Sequence, residues 1–260
     1  MIVLPPRRAG ASAPVAEGPD RRSVLAGALG LCAAGAGIAP ATAAVVAPDD
    51  RRLNIERVTA EQAGIAGLLA RGRTETKRPA VLILPDADGL TPHREDVTRR
   101  LAVAGFLALG VEAPPENADE TLARTVAYLA HHLESKGDVG VLGFGRGGDG
   151  ALRLAAMAKP LKAVVAYDGR GTADEASAAK AALQLHYAGL AGEVTATIPA
   201  FKAALESGEK TFELFLYEGV AHGFEDADKP ETYARRPAEL AWDRAIAFLE
   251  SRLGAAPPVR

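Results

Sequence analysis

The residues best placed to do chemistry lie in one short turn. Residues 138–156 read DVGVLGFGRGGDGALRLAA, with Val139, Val141, Leu142 and Phe144 as a short apolar run. Gly143, Gly145, Gly147 and Gly148 crowd the positions around its end, and Ala151, Leu152, Leu154, Ala155 and Ala156 then supply an apolar, helix-forming face. A strand that turns sharply into a helix points its first unpaired N–H groups at whatever lies over the turn. The chemistry to expect is therefore the holding of an anion, or of an oxyanion as it develops. Residues 143–148 also match G-x-G-x-x-G, and Asp168 lies twenty residues past Gly148, at the end of the next apolar run. That is the layout of a dinucleotide cradle, in which the acid holds a ribose hydroxyl. Nucleotide binding through residues 143–148 is thus one reading, although such a fingerprint normally opens its unit and here several strand–helix units precede it.

No cysteine or serine stands in the turn. Beyond residue 43 the serines are Ser135, Ser177, Ser207 and Ser251, none of them in an elbow pattern. Arg146 follows Gly145 directly. Either its guanidinium supplements the helix N–H groups in holding an anion, or it pairs with Asp149 at three-residue spacing on a solvated face. Asp86 and Asp88 lie in a loop over residues 85–92, and His222 lies in a loop over residues 219–230. His131 and His132 are adjacent late in a helix and point apart, so no metal site is expected there, and no cofactor.

The whole chain has 260 residues, 48% hydrophobic, with a formal charge of −3 and no long run of like charges. This suits one α/β core and argues against nucleic-acid binding. Residues 1–43 are set apart. Arg21-Arg22 precedes an apolar, glycine-rich stretch over residues 24–38, followed by Pro40 and the small-x-small run Ala41-Thr42-Ala43. These features predict a twin-arginine export signal cleaved after Ala43 or Ala44, with a periplasmic or secreted product and no stable membrane anchor. The remaining chain would carry a formal charge of −5 and would lack Cys32, the only cysteine, leaving no disulfide and no thiol nucleophile.

From residue 80 onward, apolar runs alternate with segments of helical period. Strands are expected over residues 80–84, 106–111, 139–144, 163–167, 183–187 and 211–217. Helices are expected over 94–104, 119–135, 146–156, 173–182, 198–205 and 233–253. Residues 53–58 and 65–70 read as a leading antiparallel pair. The alternation predicts a mostly parallel sheet flanked by helices on both faces, in a single domain over residues 44–260.

The stretches AVLIL at 80–84, GLTPH at 89–93, Gly143-Phe144 with Gly147-Gly148, LHYAGL at 185–190 and YEGVAHGF at 217–224 occur in an order that resembles the dienelactone hydrolase family. The resemblance implies an α/β-hydrolase fold and a carboxylic ester or lactone hydrolase ancestry. In that family the turn reads G-x-C-x-G-G, and its cysteine attacks an acyl carbon while an acid–histidine pair handles the proton. Carried over, the nucleophile position is Gly145, the acid position after Leu190 is Ala191, and only His222, the base position, is kept. The N–H groups of Gly145, Arg146 and Gly147 would form the oxyanion site. Asp86 stands where the family tends to carry a glutamate, and facing His222 it could help activate water, a contribution of roughly 10²–10⁴-fold. The plainer alternatives are a loop aspartate bonded to its own backbone and a histidine held only by packing. Two functions follow as expectations. One is a family hydrolase with weak or absent activity on small esters or lactones. The other is a non-catalytic binder of a small carboxylate.

Overall fold

A computed structural model of the chain describes residues 45–114, 118–157, 161–254 and 257–259. The predicted export signal, with Cys32, lies outside the described residues. In chain order the elements are β1 (Leu53–Val58), α1 (Ala60–Ala63), β2 (Gly67–Gly72), β3 (Arg78–Leu84), α2 (Pro92–Val103), β4 (Leu107–Val111), α3 (Asp119–His131) and β5 (Ser135–Phe144). They continue with α4 (Arg146–Met157), β6 (Leu161–Tyr167), α5 (Ala173–Ala178), β7 (Ala182–Ala188), α6 (Gly192–Thr195), α7 (Ile198–Ser207), β8 (Phe212–Tyr217) and α8 (Arg235–Leu253).

The eight strands form one sheet in the order β1-β2-β4-β3-β5-β6-β7-β8. β1 and β2 pair antiparallel, β2 pairs antiparallel with β4, and every later pairing is parallel. β3 is buried along its whole length, as a continuous apolar run covered on both faces must be. Alternate residues of β3 feed opposite cores. Leu82 and Leu84 pack with Leu122, Val126 and Leu152 of α3 and α4. Val81 and Ile83 pack with Leu101 of α2 and Phe248 of α8. The α/β-hydrolase architecture is therefore a sheet with helices on both sides, and the strand ends of β3, β5 and β6 open onto one edge.

Two helices are shorter than their periodicity implies. α3 stops at His131 because His132 turns extended and Arg78 N–H donates to the Glu134 carbonyl at 2.8 Å. Ser135 thereby joins β5 beside Arg78, and Leu133 points to solvent, 87% exposed, instead of facing the core. α5 stops at Ala178, because Lys180 N–H donates to the Ala155 carbonyl and Ala182 enters β7 against Ala163. In both cases a backbone partner distant in the chain, in the sheet for α3 and in α4 for α5, outweighs local helix preference.

Candidate active site

The turn after β5 positions everything else. Gly145 takes φ = 49°, a left-handed conformation that glycine enters without cost. Its N–H donates to the Tyr167 carbonyl at 2.9 Å, and its own carbonyl accepts from Asp149 N–H at 3.1 Å in the first turn of α4. The neighbouring glycines exist for close packing. A Cβ on Gly147 would collide with the carbonyl oxygens of Leu84 and Pro85, and one on Gly148 would sit 2.9 Å from the Gly169 Cα. This closeness brings the end of β3, and with it Asp86, directly over the turn.

The Asp86 carboxylate fills the space above Gly145. A Cβ on Gly145 would lie 2.6 Å from Asp86 Oδ1 and closer still to Oδ2. Asp86 Oδ1 accepts from the Ala87 N–H at 2.8 Å and from the Arg146 N–H at 3.1 Å. These two donors come from the loop after β3 and from the residue that follows the turn, the arrangement of an oxyanion hole. Asp86 Oδ2 accepts from His222 Nε2 at 2.9 Å.

On its other side, His222 Nδ1 donates to Asp168 Oδ2 at 2.8 Å. Asp168 ends β6 in a left-handed conformation with φ = 50°, which aspartate tolerates better than most residues. It is 3% exposed, and its Oδ1 accepts the Ala188 N–H at 2.7 Å. Asp86, His222 and Asp168 thus form a continuous carboxylate–imidazole–carboxylate chain.

The electrostatics follow from that chain. The hydrogen bond to Asp168, and then that to Asp86, push the His222 pKa up to about 10 against the opposing effect of partial burial. Burial alone would raise the Asp86 carboxyl. The hydrogen bonds from His222 and from the Arg146 and Ala87 N–H groups outweigh it and hold the carboxyl well below the usual carboxylate range. At neutral pH the centre is therefore an imidazolium between two carboxylates, and a base only once Asp86 loses its charge or moves away.

The model of the dienelactone hydrolase family matches residues 111–253, more than half of the chain. The chain belongs to the dienelactone hydrolase family. A "Probable 2-oxo-3-(5-oxofuran-2-ylidene)propanoate lactonase" from Bradyrhizobium sp is 26% identical over 221 residues, spanning 71% of this chain and 88% of its own. Among solved structures, a dienelactone hydrolase-like promiscuous phosphotriesterase from metagenomic libraries superposes with a TM-score of 0.68 at 20% identity, covering 78% of this chain and all of that one. A dienelactone hydrolase from Anabaena variabilis gives 0.61 at 20% identity over 78% of this chain and 99% of its own. These structural likenesses are of fold.

Within this dienelactone hydrolase-family fold, the carboxylate sought after Leu190 stands elsewhere. Ala191 precedes α6 after β7, whereas the acid against His222 is Asp168, one strand earlier at the end of β6. The missing-acid expectation is corrected in that respect. Its signal in the sequence is an aspartate closing the apolar run 163–167, a position that fits the ribose role of a dinucleotide cradle equally well. With Oδ1 on Ala188 N–H and Oδ2 on His222, buried Asp168 presents no oxygen to a ribose, and of the glycines that would cradle a pyrophosphate Gly143 and Gly148 are packed on neighbouring backbone while Gly145 lies under the Asp86 carboxylate. This geometry removes the basis of the dinucleotide reading.

The anion site built from Gly145, Arg146 and Gly147 also differs from expectation, because the Arg146 N–H already serves Asp86. Asp149 is held by Arg170, through the backbone N–H at 2.6 Å and the guanidinium at 3.0 Å, in place of the expected Arg146 pair. Asp88 pairs with Lys229 at 2.7 Å. His186 lies outside the site. Buried and near Arg244, its pKa falls to about 3, and it sits neutral between Tyr217 Oη and Gln184. Among the described residues, His93, Asp226 and Asp228 bring ligand-type atoms within 4.8 Å of one another. Arg94 and Lys229 each approach Asp226 to 3.8 Å, so the positive charge a metal would supply is already present.

Beside Asp86, a cavity of about 210 Å³ is lined by Ala87, Ala113, Pro114, Arg146 and Arg153 among others. Its size suits a ligand smaller than most drug-like molecules. Asp86 is 19% exposed toward solvent and His222 48%, so both can be reached from outside.

Proposed function

We propose that this protein is a dienelactone hydrolase-family member that has lost the family's thiolate chemistry, so that hydrolysis of small esters and lactones is weak or absent. The observation that carries this reading is the Asp86 carboxylate seated above Gly145. It occupies the volume of the missing nucleophile, uses the N–H pair that an acyl oxyanion would need, and keeps His222 protonated. The scaffold retains the rest of a hydrolase site, namely a base position, its orienting acid and a small cavity for a small-molecule ligand.

The test is turnover of an activated acetate ester and an enol-lactone by the purified protein and by the double variant Gly145→Cys with Asp86→Ala. Removing the Asp86 carboxylate makes room for the cysteine, and Asp168 already serves His222, so no change at Ala191 is needed. The natural protein is expected to be near background, with measurable turnover in the double variant. Natural activity abolished by His222→Ala, with Asp86→Ala retaining it, would overturn the reading.

We further propose that residues 1–43 direct twin-arginine export. Fractionation of cells carrying Arg21→Lys with Arg22→Lys should leave the protein inside with its leader uncut, whereas the natural chain should be processed.

A further inference from the structure

The seat of Asp86 suits a different kind of attack. Its Oδ1 is anchored by two backbone N–H groups at 2.8 and 3.1 Å, its Oδ2 accepts from His222 Nε2 at 2.9 Å, and Asp86 is among the residues that line the cavity. A carboxylate is a poor agent against an acyl carbon, because the anhydride it forms reverts. Against a saturated carbon bearing a good leaving group, it forms a stable ester. Building on the reading above, we propose that Asp86 is a nucleophile toward short alkyl halides, and that His222 with Asp168 hydrolyses the resulting ester.

The steps balance. Asp86 Oδ2 donates a lone pair to the carbon, an O–C bond forms, the carbon–halogen bond breaks and halide leaves. The ester carries no charge, so His222 loses one of the two carboxylates that hold its proton, releases that proton to solvent and becomes a base with Asp168 behind it. Nε2 then takes a proton from water, and the hydroxide adds to Asp86 Cγ. The charge that develops on Oδ1 lands where the Ala87 and Arg146 N–H groups already point. Collapse breaks the Cγ–Oδ2 bond, the alkoxide leaves with the proton from His222, and the Asp86 carboxyl group passes its own proton to His222, which restores the carboxylate and the imidazolium. The net change is alkyl halide and water to alcohol, halide and a proton.

The cavity bounds the rest of the substrate. Arg146 and Arg153 both line it, and Asp149, the second acid there, is covered by Arg170. Arg153 also pairs with Asp119 at 2.8 Å. Arg153 is engaged by Asp119 and Arg146 also has a partner, so the small volume of the cavity is what limits the substrate, to a short chain. Chloroacetate is the simplest probe of this class.

The test incubates the full chain with chloroacetate in heavy-oxygen water and follows chloride release, with mass spectrometry of the peptide that contains Asp86. Expected are chloride release, heavy oxygen entering the Asp86 carboxylate during a single turnover, and loss of both in Asp86→Asn. In His222→Gln, release should slow by roughly 10²–10⁴-fold after one equivalent, with a carboxymethyl group retained on Asp86. The His222 titration is read by NMR on the natural protein and on Asp86→Asn. A raised His222 pKa without chloride release or adduct would overturn the nucleophile proposal while leaving the seated carboxylate in place. An adduct on His222 instead of Asp86 would also overturn it. A histidine titrating near its ordinary value would overturn the seating itself, and the nucleophile with it.

Discussion

The Asp86–His222–Asp168 chain makes a pH prediction at the scale of single residues. His222 has its folded pKa raised to about 10. Its contribution to stability is therefore fully present below the unfolded value near 6.5 and is lost as pH rises through about 10. Asp86 is shifted down, so its contribution is present above the unfolded value near 4 and fades as pH falls toward the depressed folded one. Thermal melts from pH 5 to 10.5 should show stability declining across the alkaline half. Asp86→Asn should flatten that decline in part, since Asp168 still holds the imidazolium, and should bring the NMR titration of His222 down. A second residue-level prediction concerns Gly145. Gly145→Cys alone should yield an esterase-silent protein with a reduced melting temperature, because the new side chain meets the Asp86 carboxylate.

At the scale of elements, the site depends on how closely strand ends approach one another. Gly147 lies against the carbonyls that end β3, and backbone cannot swing aside as a side-chain tip can. Gly147→Ala is expected to destabilise by about 1–3 kcal/mol or more and to displace Asp86 from the turn, read as a lower melting temperature with loss of the raised His222 titration. The end of β6 matters for a different reason. Asp168→Ala would strand the buried Ala188 N–H and remove the partner of His222 Nδ1. The expected cost is about 1–3 kcal/mol, which for a domain of this size lowers the melting temperature by several degrees. Asp168→Asn should recover much of the loss, since its amide oxygen can still accept from Ala188.

At the scale of the molecule, the segment before β1 is part of the packed domain. Val46 is 7% exposed and joins the core shared by α2 and α8. Its N–H donates to Asp96 at 2.6 Å, and its carbonyl accepts from Arg99 Nε at 2.6 Å. Burial pushes the Asp96 carboxyl up despite that hydrogen bond. A chain beginning at Asp49 should therefore melt below one beginning at Ala44, by the loss of about 1–2 kcal/mol of apolar burial and of the buried donor to Asp96. Cleavage after Ala43 or Ala44, the proposed export step, would keep Val46.

The sequence by itself determined the alternation of buried strands and helices, because apolar runs as short as residues 80–84, set between segments of helical period, suit strands covered on both faces. It also placed His222 in a loop and showed that residue 145 has no side chain to attack with. The extent of α3 and α5 was not legible, since Arg78 and Ala155 lie far along the chain from the residues whose backbone they capture. Nor was the pairing of the acid, because Asp168 and Ala191 both follow apolar strands and only the packed sheet brings one of them to His222 Nδ1. Only the tertiary structure decided that Asp86 occupies the place of the missing nucleophile. That follows from glycines at 145 and 147 letting the end of one strand lie directly on the turn after another.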